Sequence, residues 1–171
     1  SENQHVNGIL DISIVPARVT PQLAKQAQDL ACRLVEKLNY QGVLCVEFFV
    51  LQNDTLLINE IAPRPHNSGH YSINACITSQ FEQQVRTLCG LPLGATTQHS
   101  AAVMVNLLGD LWRNGKPDWQ RVLQHSSVKL HLYGKTAARP GRKMGHYTVL
   151  NNDIDTALRE AGHIKKQLEY H

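Results

Sequence analysis

No stretch of the 171 residues holds about 18 or more consecutive apolar positions, so the sequence offers no helix long enough to cross a bilayer. It has no Cys-x-x-Cys pair among its four cysteines, Cys32, Cys45, Cys76 and Cys89. That argues against a thiol-ligated zinc site or a redox pair. Cys32 and Cys45 fall inside apolar patterns, where a free thiol behaves as a small hydrophobe, so a reduced, cytoplasmic chain is expected. A leader that is charged and then apolar is not visible, so nothing argues for secretion. No methionine precedes Ser1-Glu2-Asn3, the pattern of a trimmed or cloned piece. Large charge of one sign is lacking too: the net charge of +3 is too small to imply a nucleic-acid partner by itself. Internal repeats and low-complexity tracts are absent. What remains, 42% hydrophobic residues, suits one ordinary globular domain or one and a half.

The local patterns predict a mixed α+β fold. Gly8 to Val15 reads as a strand. Thr20-Pro21 opens a helix, with Thr20 as N-cap and Pro21 at the first helical position. Leu23, Ala27, Leu30, Leu34 and Leu38 give it an apolar stripe, and Asn39 and Gly42 close it. Val43 to Val50 and Thr55 to Ala62 are strand-like runs on either side of Asn53-Asp54. Pro63 to Asn74 is rich in Pro, Gly, Ser, Asn and His and must be irregular. Ser79 and Glu82 have the spacing of a capping box, opening a short helix with Phe81, Val85 and Leu88 on one face. The small, polar stretch 94–100 suggests a boundary. It would divide an antiparallel sheet with packed helices (1–97) from a small β-rich unit with a terminal helix (98–171). Strands are expected at 101–108, 128–133 and 145–150, a helical turn near 118–124, and a last helix from about Asp153 to Leu168.

Glu47 and Glu60 each interrupt an apolar strand. A two- or four-residue turn at Asn53-Asp54 sets them directly opposite each other, whereas a three-residue turn separates them unless a bulge intervenes. Two carboxylates about 5 Å apart repel by roughly 3 kcal/mol at an effective dielectric of ~20. Stability alone does not retain such a pair. Either one is protonated or a cation lies between them. Carboxylates without paired His or Cys suit Mg2+ or Mn2+ shared with a substrate phosphate, and Asn59 adds an oxygen donor. The plainer reading is an edge-strand Glu47 facing water and a Glu60 paired with an arginine.

The loop after Glu60 runs Pro63-Arg64-Pro65-His66-Asn67-Ser68-Gly69-His70. The prolines stiffen it. Arg64 offers a planar fork for an anion, and His66 can move a proton near neutral pH. Asn67, Ser68 and the Gly69 amide add neutral polar groups. This is the make-up of an active-site wall, although Asn-Ser-Gly alone also suits a surface turn. His66 and His70 have the spacing of helical zinc ligands, but Pro65 and Gly69 argue against a helix. Further on, Lys135, Arg139, Arg142 and Lys143 are interleaved with Pro140 and Gly141. Such a loop suits a phosphate monoester. A solvated basic turn or a weak nucleic-acid patch is the alternative, and few aromatics support the latter.

Gly42-Val43, Val46-Glu47-Phe48-Phe49 and Ile58-Asn59-Glu60-Ile61-Ala62-Pro63-Arg64 together resemble the metal-binding hairpin of the ATP-grasp superfamily. The continuation Pro65-His66-Asn67-Ser68-Gly69-His70 is more specific. It resembles the N5-carboxyaminoimidazole ribonucleotide synthase family, as do Val103 to Gly109 and the basic loop. The likeness runs from about Asn7 to Leu150.

The resemblance implies an ATP-grasp carbon–nitrogen ligase, one that carboxylates 5-aminoimidazole ribonucleotide with bicarbonate through carboxyphosphate in purine biosynthesis. It implies ATP and Mg2+ (or Mn2+) as cofactors, with Glu47 and Glu60 on the metal and Asn59 and, more remotely, His5 near the nucleotide. Arg64 and His66 would act on the bicarbonate. Asn67 and Ser68 would line the substrate site, and Lys135 and Arg142 would grip the 5′-phosphate, with Arg139, Lys143 and His146 assisting. The family is commonly homodimeric. A glycine-rich loop, a nucleotide-clamping lysine and the family's N-terminal domain are missing from these residues, so the chain alone is expected to be inactive and to expose apolar surface. Two readings compete: a formate- or glycine-using ATP-grasp ligase, and a non-catalytic phosphate-binding module.

Overall fold

The computed structural model describes residues 1–169. Five strands form one antiparallel sheet in the order β1-β2-β5-β7-β6: β1 (Glu2–Val6), β2 (Ile9–Val15), β5 (Ala101–Leu108), β7 (Lys143–Asn151) and β6 (Val128–Leu132). A separate hairpin holds β3 (Cys45–Val50) and β4 (Leu56–Ala62). Helix α1 (Pro21–Lys37) joins the first strand pair to that hairpin. After β4 come a 3-10 turn at Asn67–Gly69, then α2 (Ser72–Ala75) and α3 (Gln80–Leu88). A second 3-10 turn (Gly109–Trp112) and α4 (Gln120–Leu123) lie between β5 and β6, and α5 (Ile154–Glu169) follows β7. No described helix is long and apolar enough to cross a membrane.

Strand alternation gives the five-stranded sheet two unlike faces. Ile14, Val103, Val105, Leu107, Tyr147 and Val149 point one way and form the core. Helix α5 covers them with Ala157, Ala161, Ile164 and Leu168, spaced to make one stripe. The Asp153 carboxylate caps that helix, accepting the Thr156 N–H at 2.8 Å. Ser13, Met104, Asn106, His146 and Thr148 occupy the intervening positions and face the other way, also buried. Of its polar groups, Asn106 pairs with Asn67 and Ser13 donates to Asn3 Oδ1, while Thr148 Oγ1 and His146 Nε2 have no hydrogen-bond partner among the described residues.

Local signals were accurate for the caps. Thr20 Oγ1 accepts the Leu23 N–H at 3.2 Å, and Ser79 Oγ accepts the Glu82 N–H at 3.1 Å. Glu82 does not complete a reciprocal box, because its carboxylate takes Arg86 at 2.8 Å instead. The apolar surface outside the main core is open. Phe49 is 57% exposed, and Val50, Leu57, Ile58, Val85 and Leu88 are also exposed. The stretch 94–100 does fall between α3 and β5, but β1 and β2 pair into the same sheet as the strands beyond it.

Candidate functional site

The β3–β4 hairpin brings Glu47 opposite Glu60 by a route the turn alone does not provide. Residues 51–55 link the strands, and the pairs nearest the turn are Val50–Leu56, Phe49–Leu57 and Phe48–Ile58. That register, carried on unchanged, would put Glu47 opposite Asn59. A bulge between Phe48 and Glu47 absorbs Asn59 as the extra residue and restores the Glu47–Glu60 pairing. Asn59 therefore sits beside both carboxylates, its Nδ2 donating to Glu47 Oε2 at 3.4 Å. The four-residue and two-residue turns are both corrected by this geometry, while the carboxylate pairing stands.

Beyond Ala62 the chain turns sharply, with Arg64 N–H bonded to Ala62 O at 2.9 Å. Arg64 is exposed and donates from Nη1 to Pro65 O at 3.1 Å. The His66 ring returns toward the hairpin, with Nδ1 3.8 Å from Glu47 Oε1 and 2.8 Å from Ser68 Oγ. Burial lowers its pKa, and the nearby Glu47 carboxylate opposes that shift. The neutral ring is thus favoured, with the Ser68 hydroxyl and backbone N–H both directed at Nδ1. Ser68 is only 5% exposed and serves the ring from inside the turn.

The loop is tied to both neighbours. Asn67 and Asn106 form a reciprocal amide pair, at 3.1 Å and 2.7 Å, and Asn106 Nδ2 also donates to Leu10 O at 2.8 Å. On the other side, the Gln80 side chain pairs with both backbone groups of His66, at 2.9 Å and 2.8 Å. Neither Asn106 nor Gln80 stood out in the sequence. Asn106 was visible as a lone amide in the apolar strand Ala101–Leu108, the one signal that could have singled it out.

Lys143 opens β7 and is half-buried. Burial lowers its pKa, Glu47 pulls it up and Arg64 pushes it down again, so it belongs to the same electrostatic group as the hairpin and loop. Lys135 Nζ donates to Lys143 O at 2.6 Å, and Arg142 Nη1 to Ala137 O at 2.9 Å, so both basic side chains brace their own loop. Arg139 is exposed; its backbone carbonyl receives Arg142 N–H at 3.0 Å. His146 lies inside the sheet face, 1% exposed, with Nδ1 2.8 Å from Tyr133 OH and its ring stacked 4.6 Å from that of His131. It is therefore part of the floor under the loop, not a free arm of the basic cluster. His5 is on the edge strand β1, opposite Leu10, and takes no part in the site's hydrogen bonds among the described residues.

Glu47, Glu60, Asn59, Arg64, His66 and Lys143 thus converge, with Lys135 joined through Lys143. The donor set fits a hard divalent cation: two opposed carboxylates and an amide, all offering oxygen. It does not enclose one. Among the described residues no three His, Cys, Asp or Glu side chains group closely enough to hold a metal ion by themselves. An ion there would depend on oxygens brought by a ligand.

Comparison with known proteins identifies both parts of the chain. Residues 1–81 match the family model of the ATP-grasp domain, and residues 102–160 match that of the phosphoribosylaminoimidazole carboxylase C-terminal domain. The fold and the hairpin site define an ATP-grasp chain. N5-carboxyaminoimidazole ribonucleotide synthase of Bacillus subtilis is 48% identical over 160 residues, which are 94% of this chain and 41% of the relative. The synthetase structure from Thermus thermophilus superposes with a TM-score of 0.87 at 44% identity, covering 97% of this chain and 44% of that one. The Aspergillus clavatus synthase, solved with ADP and 5-aminoimidazole ribonucleotide, gives a TM-score of 0.88 at 34% identity, covering 98% and 46%. Within the ATP-grasp class, the chain belongs to the N5-carboxyaminoimidazole ribonucleotide synthase family, and it spans less than half the length of these relatives.

Proposed function

We propose that these residues form the metal and phosphate side of a ligase that carboxylates 5-aminoimidazole ribonucleotide with bicarbonate, driven by ATP, in purine biosynthesis. The observation that carries this reading is the Asn59 bulge, which sets Glu47 against Glu60 beside Arg64, His66 and Lys143. ATP binding is supported by the relatives solved with nucleotides, including ADP in the Aspergillus clavatus synthase.

Glu47, Glu60 and Asn59 would hold Mg2+ on the nucleotide phosphates. The ion supplies charge neutralisation for phosphoryl transfer. A bicarbonate oxygen attacks the γ-phosphorus, the bond to the β-phosphate oxygen breaks, and ADP leaves. The amine then attacks the carboxyphosphate carbon, the carbon–oxygen bond to phosphate breaks, and the amine loses a proton. Arg64 stabilises the anion across both steps. His66, its Nδ1 accepting from Ser68, offers its Nε2–H to an oxygen of the carboxyphosphate and so assists its breakdown, and the amine proton leaves with the departing phosphate. Lys135, Arg142, Arg139 and Lys143 hold the ribonucleotide phosphate. Asn67 and Ser68 shape the substrate wall through their internal bonds, and His5 lies toward the nucleotide. The unit 1–97 would carry the metal half and 98–171 the phosphate grip. The exposed hairpin and α3 surface would pack on other parts of a homodimeric, cytoplasmic enzyme.

The test replaces the corresponding segment of the Bacillus subtilis relative with these residues and assays ADP release. Release that requires both bicarbonate and 5-aminoimidazole ribonucleotide is expected. Release independent of the ribonucleotide would contradict the reading.

A further inference from the structure

The Gln80 side chain at the start of α3 settles the protonation of a residue the proposed mechanism does not use. Its Oε1 lies 2.9 Å from the His66 backbone N–H, which can only donate. Its Nε2 lies 2.8 Å from the His66 carbonyl, which can only accept. The amide orientation is thereby fixed at both atoms. Nε2 has a second hydrogen, and His70 Nδ1 is 2.9 Å away. A ring nitrogen receiving that hydrogen carries a lone pair, so the neutral His70 ring bears its proton on Nε2.

The surroundings hold that arrangement rigid. Gln80's own N–H donates to Ser72 Oγ at 3.0 Å, and that hydroxyl donates to Gly69 O at 2.6 Å. A Cβ at position 69 would meet Gln80 Oε1 at 2.6 Å, so the amide's approach requires glycine there. The His70 ring centroid is 5.3 Å from Phe81, 5.2 Å from His146 and 6.2 Å edge-on to Tyr133. Burial first, then the Lys143 charge, lowers the His70 pKa to about 4, which keeps the ring neutral near pH 7. Its Nε2 has no hydrogen-bond partner among the described residues, and the ring as a whole is half-buried.

We infer that His70 is a further ligand-binding residue, a neutral imidazole locked by Gln80 that offers Nε2–H to an oxygen of an anionic substrate beside His66 and Lys143. The inference rests on the function proposed above. Arg64, Lys135 and Lys143 already supply positive charge there. A neutral donor adds direction without further repulsion among cations, and Gln80 is the positioning residue that makes it a donor.

Nitrogen-15 NMR of the histidine rings in the 171-residue chain at pH 7 tests the tautomer, with His70 assigned by its loss in His70→Gln. Nδ1 should show the shift of a bare nitrogen and Nε2 that of a protonated one. In Gln80→Glu the carboxylate still accepts from the His66 N–H but has no hydrogen for Nδ1, so the His70 proton should appear on Nδ1. A protonated Nδ1 in the unchanged chain overturns the inference even if the variant fails to fold. 5-Aminoimidazole ribonucleotide is then titrated into the Bacillus subtilis enzyme carrying these residues in place of its own segment. It should move His70 Nε2 together with His66 and Lys143, and His70→Phe should bind it roughly fivefold more weakly. Movement of His66 and Lys143 alone overturns the role of His70 while the proposed function stands. No movement at any of the three removes both.

Discussion

Asn106→Ala should be among the most damaging single changes outside the apolar core. Asn106 is 4% exposed and makes three hydrogen bonds: two with the Asn67 amide and one to Leu10 O, just past the last β2–β5 pair, Ile12–Val105. Alanine leaves the Leu10 carbonyl without that donor and Asn67 with no partner for either end of its amide. An unsatisfied buried polar group costs about 1–3 kcal/mol. Leu10 is buried but Asn67 is only half-buried, so water recovers part of the second loss. The sum is about 3 kcal/mol, a large share of the 5–15 kcal/mol typical of a domain. For a chain of this size that is a Tm lowered by roughly 6–12 °C. Asn67→Ala, which leaves the Asn106–Leu10 bond in place, should cost about 1 kcal/mol. Thermal and urea unfolding of both variants and of the double variant give the coupling directly. If the double variant loses the sum of the two single losses, the pair is not the clamp described and the reasoning fails.

Three other outcomes follow from the same geometry. In Gly109→Ala the new Cβ would lie 2.1 Å from the Arg139 carbonyl oxygen, so the basic loop must move; affinity for 5-aminoimidazole ribonucleotide, measured by calorimetry, should fall at least about tenfold. Glu60→Gln relieves the carboxylate repulsion. Because Glu60 is exposed, the metal-free chain should gain at most about 1 kcal/mol in urea unfolding, while ligase activity in the segment swap is lost. Burial lowers His70 to about 4 and His146 to about 3. The unfolded chain then binds more protons than the folded one between those values and the ordinary histidine pKa, so stability falls as pH drops through that window, by up to about 1.4 kcal/mol per pH unit for each ring. Urea midpoints from pH 7 to pH 4 check this, and His146→Gln should flatten the slope.

The parts legible in the sequence were those set by neighbours along the chain. Thr20 and Ser79 cap their helices as their spacing indicated. The Glu47–Glu60 pairing was also legible, though the turn reasoning behind it was incomplete. A bulge at Asn59 inside the strand compensates for the odd turn, and no local pattern separates a bulged asparagine from a paired one. Long-range partners were not visible. Nothing in the sequence singled out Gln80, and only the fold brings it to His66 and His70, 14 and 10 residues away. His146 read as part of the basic loop, yet its place in the β7 alternation turns it into the sheet face with Asn106. The pairing of β2 with β5, which closes one sheet over residues far apart, has no signal in either strand alone.

The most direct test of the central claim is the stoichiometry of Mn2+ bound in the presence of ADP by the swapped Bacillus subtilis enzyme, followed by electron paramagnetic resonance, with Glu60→Gln alongside. The carboxylate hairpin predicts a nucleotide-dependent Mn2+ site that is lost in the variant. Equal Mn2+ binding by both proteins would show that the opposed carboxylates are not the metal site.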